Sequence, residues 1–284
     1  MFIQLYEEKY MRFPEGKAKA LTLSYDDGVQ ADIHLLNIFK KHGLKGAFNL
    51  NSKLFDCAEW HGRMDEEQTL KTFCDCGQEI ALHGARHIFL DKAPLAEGVK
   101  EVADNRAYLE DKFGTIVRGM AYAYGAYNAD IKRVLKDLGV AYARTTASSH
   151  SFAVPDDWLE LNPTCHHTEA EFARLADEFF SSSPQDAPKH REPWLFYVWG
   201  HSFEFDDYDN WNVIEDFAAR AEKHADSVWF ATNIQIYEYV KAYEALVFSF
   251  DGERVYNPSA IPVWLELRGK IYRLDGGKET VFGK

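Results

Sequence analysis

Ala20-Leu21-Thr22-Leu23-Ser24-Tyr25-Asp26-Asp27-Gly28 decides the reading of this chain, because an apolar, partly β-branched run drives into two adjacent carboxylates and then a glycine. The run predicts a strand, with the acidic pair at its carboxyl end. At a frayed strand end both carboxylates can turn into one cleft, where a metal cation or an arginine must offset their repulsion. By itself the segment also fits a plain strand closing in an Asp-Gly turn, so the surrounding pattern has to decide.

Downstream, Ile33, Leu35, Leu36, Ile38 and Phe39 form a helical stripe that His42-Gly43 closes. Strand and helix then alternate: strand 45–50, helix 66–73, strand 79–82, helix 94–113, strand 117–123, helix 129–138 and strand 140–144. Residues 148–163 are irregular and contain Pro155-Asp156-Asp157-Trp158. A helix at 169–180, an apolar strand at 194–199, a helix at 213–225, a strand at 228–231 and a helix at 235–245 restore the alternation. Such βαβα order predicts an α/β protein with a parallel sheet or barrel. The length of 284 residues suits one barrel, which needs about 250. Short β-type runs at 247–250, 263–267 and 270–274, split by Asp251-Gly252 and Gly269, predict a small antiparallel β appendage. The expected division is a barrel over 1–245 and the appendage over 246–284.

Apolar residues make up 46% of the chain and aromatics 15%, enough for a large core. A net charge of -13 argues against nucleic acid or an anionic membrane as partner. No run reaches the roughly 18 apolar residues of a membrane span. Residues 1–9 lack the basic and then apolar regions of a secretory signal, so a cytoplasmic location is expected. Cys57, Cys74, Cys76 and Cys165 form no Cys-x-x-Cys pattern and read as free, buried thiols in a reducing compartment.

The strand at 79–82 runs into His83-Gly84-Ala85-Arg86-His87, two histidines four apart, which in one helical turn face the same side and can grip one metal. In parallel α/β folds the site forms at the carboxyl ends of the strands. Both the Asp26-Asp27 pair and these histidines sit at such ends. Ala121-Tyr122-Ala123-Tyr124-Gly125 and Trp199-Gly200-His201 end two further strands, so that four strand ends offer acid, base, ligand and backbone donors. A metal held by two imidazoles and a carboxylate keeps positions open for water and a carbonyl oxygen.

These motifs resemble those of the polysaccharide deacetylase family, the carbohydrate esterases with the NodB homology domain. Ser24-Tyr25-Asp26-Asp27-Gly28 is similar to the family's Thr-Phe-Asp-Asp-Gly, and His83-Gly84-Ala85-Arg86-His87 to its His-Ser/Thr-x-x-His. The resemblance covers roughly residues 15–240. It implies a deformed (β/α) barrel of about seven parallel strands and one divalent metal, Zn2+ first, with Co2+, Ni2+ or Mn2+ as alternatives. Asp27, His83 and His87 would be the ligands and Asp26 the general base. Tyr122-Ala123-Tyr124-Gly125 is similar to the family's Arg-x-Pro-Tyr/Phe-Gly, which makes the Tyr124 N–H the oxyanion donor and places Tyr122 at the substrate. Ala121, however, stands where an arginine should steady the base, and Ala123 replaces proline. Trp199-Gly200-His201 resembles Leu-x-His, giving His201 as general acid and Trp199 as a lining of the acetyl pocket. Pro155-Asp156-Asp157-Trp158 is similar to an Asp-x-Trp motif, with Asp156 or Asp157 as the carboxylate orienting His201 and Trp158 near the substrate.

The vacancy at Ala121 predicts another arginine. Arg118 lies at the amino end of its strand, whereas Arg144 closes the next strand at its carboxyl end and is expected to reach Asp26. The activity implied is metal-dependent N-deacetylation of an N-acetylated sugar or polysaccharide fragment. A small non-sugar amide is the alternative substrate, and a non-catalytic carbohydrate-binding barrel the alternative function. The facial triad of iron(II) oxygenases uses similar ligands, but is expected on all-β sandwiches.

Overall fold

The protein is described by a computed structural model over residues 9–55, 57, 59–186 and 191–282. Its elements in chain order are β1 (Lys9–Arg12), β2 (Lys19–Asp26), α1 (Ala31–His42), β3 (Gly46–Leu50), α2 (Glu66–Phe73), β4 (Glu79–Leu82), α3 (Leu95–Phe113), β5 (Gly119–Ala121), α4 (Ala129–Asp137) and β6 (Tyr142–Arg144). There follow β7 (Cys165–His166), α5 (Glu171–Ser181), β8 (Trp194–Gly200), α6 (Phe203–Asp207), α7 (Asn212–Glu222), β9 (Val228–Phe230) and α8 (Asn233–Glu244). The tail holds β10 (Val247–Phe248), β11 (Arg254–Tyr256), β12 (Val263–Leu267), β13 (Lys270–Leu274) and β14 (Glu279–Val281).

The main sheet is parallel throughout, in the order β6-β5-β4-β3-β2-β8-β7, with β9 on the first half of β2. β3 pairs only Leu23 to Asp26 of β2, which leaves Lys19 to Leu21 for β9. A single bridge between Arg144 and Leu161 spans the side where β6 and β7 would have to meet. With its helices this is the deformed (β/α) barrel that the resemblance implies, built on the parallel sheet that the alternation predicts.

All eight residues of β2 are buried. Strand alternation sends Leu21, Leu23 and Tyr25 into the cluster that holds Leu35, Ile38 and Phe39 of α1. The other face carries Thr22, which donates to Asn233, and Ser24, which accepts from Asn49. Asp26 therefore reaches the barrel interior in the same register as these polar groups. Two helices start with capping boxes written in the sequence, Asp65 with Gln68 for α2 and Thr232 with Gln235 for α8.

β5 and β6 are shorter than the apolar runs around them. The chain leaves β5 for a 3-10 turn at Ala123–Gly125, and the Val140 amide bonds to Leu135 O to close the end of α4. The tail forms two three-stranded antiparallel sheets, β10-β11-β14 and β1-β12-β13, so the first described strand pairs with the tail. Arg12 of β1 is fully buried there and donates to Glu266 of β12 at 2.9 Å, while Arg191 lies 3.1 Å from the same carboxylate. Of the cysteines only Cys165 is buried, because Cys74 and Cys76 fall in the turn between α2 and β4 and Cys57 is half-buried. Among the described residues, no helix is long and apolar enough to cross a membrane.

Candidate active site

The two carboxylates enter one cleft for different reasons. Asp26 ends β2 on the barrel's inner face, whereas Asp27 lies just past the strand with φ 89°, a turn that swings its side chain back beside its neighbour. Asn49 Nδ2 donates to Asp26 Oδ1 at 2.8 Å, and Arg144 Nη2 donates to Asp26 Oδ2. Arg144 is fully buried and lies 4.2 Å from the centre of the Trp199 ring. Burial alone would raise the Asp26 pKa, but Arg144, with His83 and His201, outweighs it and brings the group to about 2.

Asp27 has its own cation. Arg63 donates to Asp27 Oδ1 at 2.6 Å and to the Asp27 carbonyl at 2.7 Å, and is itself held by Asn51 Oδ1 at 2.8 Å. Burial pushes the Asp27 carboxyl up, yet the surrounding His83, Arg63, His201 and His87 hold it below its ordinary value.

His83 and His87 do meet, though through an irregular loop and not one helical turn. Gly84 has φ 76° and His87 φ 56°, and a side chain at Gly84 would press on Glu101, which holds the loop through Arg86 N–H and Nε. His83 Nδ1 lies 2.9 Å from Ala121 O, a carbonyl that fixes the proton on Nδ1 and leaves the Nε2 lone pair free. His83 Nε2 is 3.8 Å and His87 Nε2 3.9 Å from Asp27 Oδ1, and the two nitrogens are 3.1 Å apart. Burial and then His83 lower the His87 pKa to about 4, so its imidazole is neutral at physiological pH. Two imidazole nitrogens, which share a hydrogen bond that an ion would replace, and a carboxylate oxygen, all within 4.8 Å of one another, form a donor set suited to a zinc-like ion.

On the opposite wall, His201 Nε2 stands 3.9 Å from Asp26 and 4.0 Å from Asp27. The carboxylate beside it is neither Asp156 nor Asp157 but Glu204, whose Oε2 lies 3.4 Å from His201 Nδ1 and accepts the His201 N–H at 2.9 Å. Asp156 is exposed, and Asp157 pairs with Lys132 and caps the turn at Trp158–Glu160. Burial lowers the His201 pKa, but Glu204, Asp26 and Asp27 overcome it and the net shift is upward. Trp158 is placed away from the cleft as well. It is 5% exposed and packs edge-on against Tyr237 of α8, because the turn that carries it lies against that helix.

The cleft, of about 540 Å³, is lined by Asp26, Asp27, His83, His87 and His201 together with Tyr122, Tyr124, Trp199, Arg63, Trp60 and Phe203. Tyr122 donates its hydroxyl to Leu159 O at 2.8 Å. Tyr124 has φ 58°, stands half exposed at the rim, stacks on Phe89 at 3.9 Å and meets the edge of His87 at 4.4 Å. Sequence reading did not find Arg63 or Glu204. Glu204 had a local signal, three residues after His201 where a helix starts; Arg63 had none, since it arrives on a loop 36 residues beyond its partner.

A family model described as polysaccharide deacetylase matches residues 13–143. No curated protein matches the chain. Among solved structures, one provisionally described as a polysaccharide deacetylase from Mycobacterium smegmatis has a TM-score of 0.58 at 18% identity, over 83% of this chain and 94% of that one. A family 4 carbohydrate esterase pseudoenzyme from Bacillus anthracis has a TM-score of 0.50 at 13% identity, over 80% and 68%. The Streptococcus pyogenes deacetylase PplD, in complex with acetate, has a TM-score of 0.41 at 21% identity, over 44% of this chain and 55% of that one, so the chain spans about half of its length. At these identities the likeness is one of fold, and a pseudoenzyme among the neighbours shows that the fold does not by itself carry activity. In its motifs, over residues 13–143 and in its barrel, the chain is similar to the polysaccharide deacetylases.

Proposed function

We propose that the chain is a metal-dependent hydrolase that removes the acetyl group from an N-acetylated sugar or polysaccharide fragment. One observation carries the reading: the Asp27–His83–His87 donor set opens on a cleft where a second carboxylate, Asp26, and a third imidazole, His201, flank it from separate strands. A non-catalytic barrel would have no use for Asp26 and His201 in these positions. A divalent ion held by Asp27, His83 and His87, zinc before cobalt, nickel or manganese, supplies Lewis acidity toward water and the acetyl carbonyl, which a base as weak as Asp26 requires.

Asp26 stays ionised at neutral pH, with Arg144 and Asn49 fixing its two oxygens, and accepts the proton of the attacking water. The Tyr124 N–H donates to the oxyanion that develops on the carbonyl. His201, whose pKa Glu204 and the acidic pair raise, passes a proton to the departing amine as the C–N bond breaks, leaving acetate and the free amine. Trp199 and Tyr122 line the space for the acyl group. A cleft of about 540 Å³ has room for one or two sugar rings or for a small amide.

Metal analysis of the purified protein, followed by acetate release from N-acetylated mono- and oligosaccharides and from small amides, tests the reading. One ion per chain at the Asp27–His83–His87 set and release from the sugars are expected. His83→Ala should lose that ion, and Asp26→Asn and His201→Ala should keep it while turnover falls by roughly 100-fold or more. Full activity in His83→Ala, or turnover only with small amides, would overturn the assignment or its substrate.

A further inference from the structure

We infer that a second cation site, formed by His166, His201 and Glu204, adjoins the first and shuts the enzyme down when it fills. His166 ends β7, His201 follows β8 and Glu204 opens α6, so three separate elements deliver one donor each, all within 4.8 Å of one another. Two imidazoles and a carboxylate are a zinc-binding set. The spacing is informative. Glu204 Oε2 lies 3.2 Å from His166 Nε2, 3.4 Å from His201 Nδ1 and 3.5 Å from His167 Nε2. An imidazolium–carboxylate hydrogen bond closes to about 2.7–2.9 Å. Ligands at zinc's bond lengths stand about 3.3 Å apart at the edges of a tetrahedron. All three separations fall near that edge and are longer than a close charge-assisted hydrogen bond.

A second, independent observation is His167. Its side chain is 1% exposed, neither ring nitrogen has a hydrogen-bond partner among the described residues, and Nε2 faces Glu204. The ring is wedged against Phe205 at 4.2 Å and against the backbone of Gly200, where a Cβ would lie 2.0 Å from Nδ1. A buried imidazole with no hydrogen bond, aimed at this carboxylate, has the makings of a further donor to the same ion. His166 is oriented as well: its Nδ1 accepts the Thr168 backbone N–H at 3.2 Å and lies 2.7 Å from the Thr168 hydroxyl, which turns Nε2 toward Glu204, where an ion would take the place of the Nε2 proton. The third histidine and acid group, His150 with Glu169 and Glu171, lies at the exposed surface and has no such buried donor.

Occupation has a chemical consequence that rests on the proposed function. A cation on His201 Nδ1 takes that lone pair and releases the Nδ1 proton to water. The imidazole then keeps only its Nε2 proton, which it can pass to a leaving amine only by becoming an imidazolate, and Glu204 no longer supports it as an acid. High zinc is therefore self-inhibitory.

Protein stripped with a chelator and dialysed against graded zinc chloride tests the site by stoichiometry, independently of any substrate. The wild-type chain should bind two ions, His166→Gln one, and His83→Ala one. Far-UV circular dichroism checks the fold of each variant. If His166→Gln does not fold, the wild-type titration decides alone. Saturation at one ion, or two ions still bound by a folded His166→Gln, overturns the second site. With an active substrate in hand, the second zinc should cut turnover at least tenfold in the wild type and leave His166→Gln unaffected. Full activity with both ions bound overturns the inhibitory role.

Discussion

Arg144 and Arg63 divide the acidic pair between them, and the division gives each carboxylate its own cation. Arg144 comes from the strand end predicted to replace the arginine missing at Ala121, and its guanidinium touches Asp26, the proposed base. Arg63 takes Oδ1 of Asp27, the oxygen that also faces His83 and His87, and so sets the carboxylate's angle toward them. Replacing Arg144 by Gln removes the leading influence that lowers the Asp26 pKa. Because the working form is ionised and is lost as pH falls through that pKa, the acid limb of the pH–rate profile should move to higher pH. The rate at neutral pH should fall by roughly 10-fold or more as the base loses its orientation. Zinc content should be unchanged, and an identical profile in the variant would remove Arg144 from the mechanism. Why one arginine was legible and the other was not is a matter of what local sequence records. Arg144 closes an apolar run at a strand end, a position that can be counted along the chain, while Arg63 follows no periodic element.

Long elements with a clear period, such as α1, α3, β2 and β8, lie within a few residues of where their apolar spacing puts them. The strands that escaped, β1, β7, β11 and β14, have two to four residues, too few to show alternation, and their partners are distant in sequence. β1 pairs with β12 about 250 residues away, Tyr10 opposite Glu266. Local pattern cannot contain such a contact. The pairing bears on residues 246–284, which we propose to be an accessory packed on the barrel. Phe13, Ala20 and Leu195 share a cluster with Val263 of β12, so deletion after Ala245 should uncover barrel core and give an insoluble or much less stable chain. A gentler test is Glu266→Ala, which leaves the buried Arg12 unpaired and should cost about 3 kcal/mol in denaturant unfolding. A soluble, fully stable truncation would show the tail to be dispensable.

Across the whole molecule, two buried acids outside the proposed chemistry tie stability to pH. Asp32, in the first turn of α1, accepts from Val29 N–H at 3.0 Å and Ser202 Oγ at 2.6 Å, and burial raises its pKa to about 7. Glu79, at the opposite end of the barrel, accepts from Tyr142 Oη and Ile234 N–H, both at 2.8 Å, and burial raises it likewise to about 7. Each folded pKa exceeds the unfolded one, so the folded chain holds extra protons. The associated stability is full below the unfolded pKa and is lost as pH rises through about 7. Melting temperature should therefore decline between pH 5 and 8, and Glu79→Gln should flatten the decline; an unchanged slope would discount Glu79. The arrangement around β2 has a kinetic consequence of its own. With β8 along one edge, β3 and β9 sharing the other, and no residue exposed, its amides can meet deuterium only when the sheet comes apart. Hydrogen exchange should find residues 21–25 among the slowest in the chain, and the turn at Ala123–Gly125 far faster. The proposed base thus stands on the last part of the molecule to open, and the proposed oxyanion donor on one of the first.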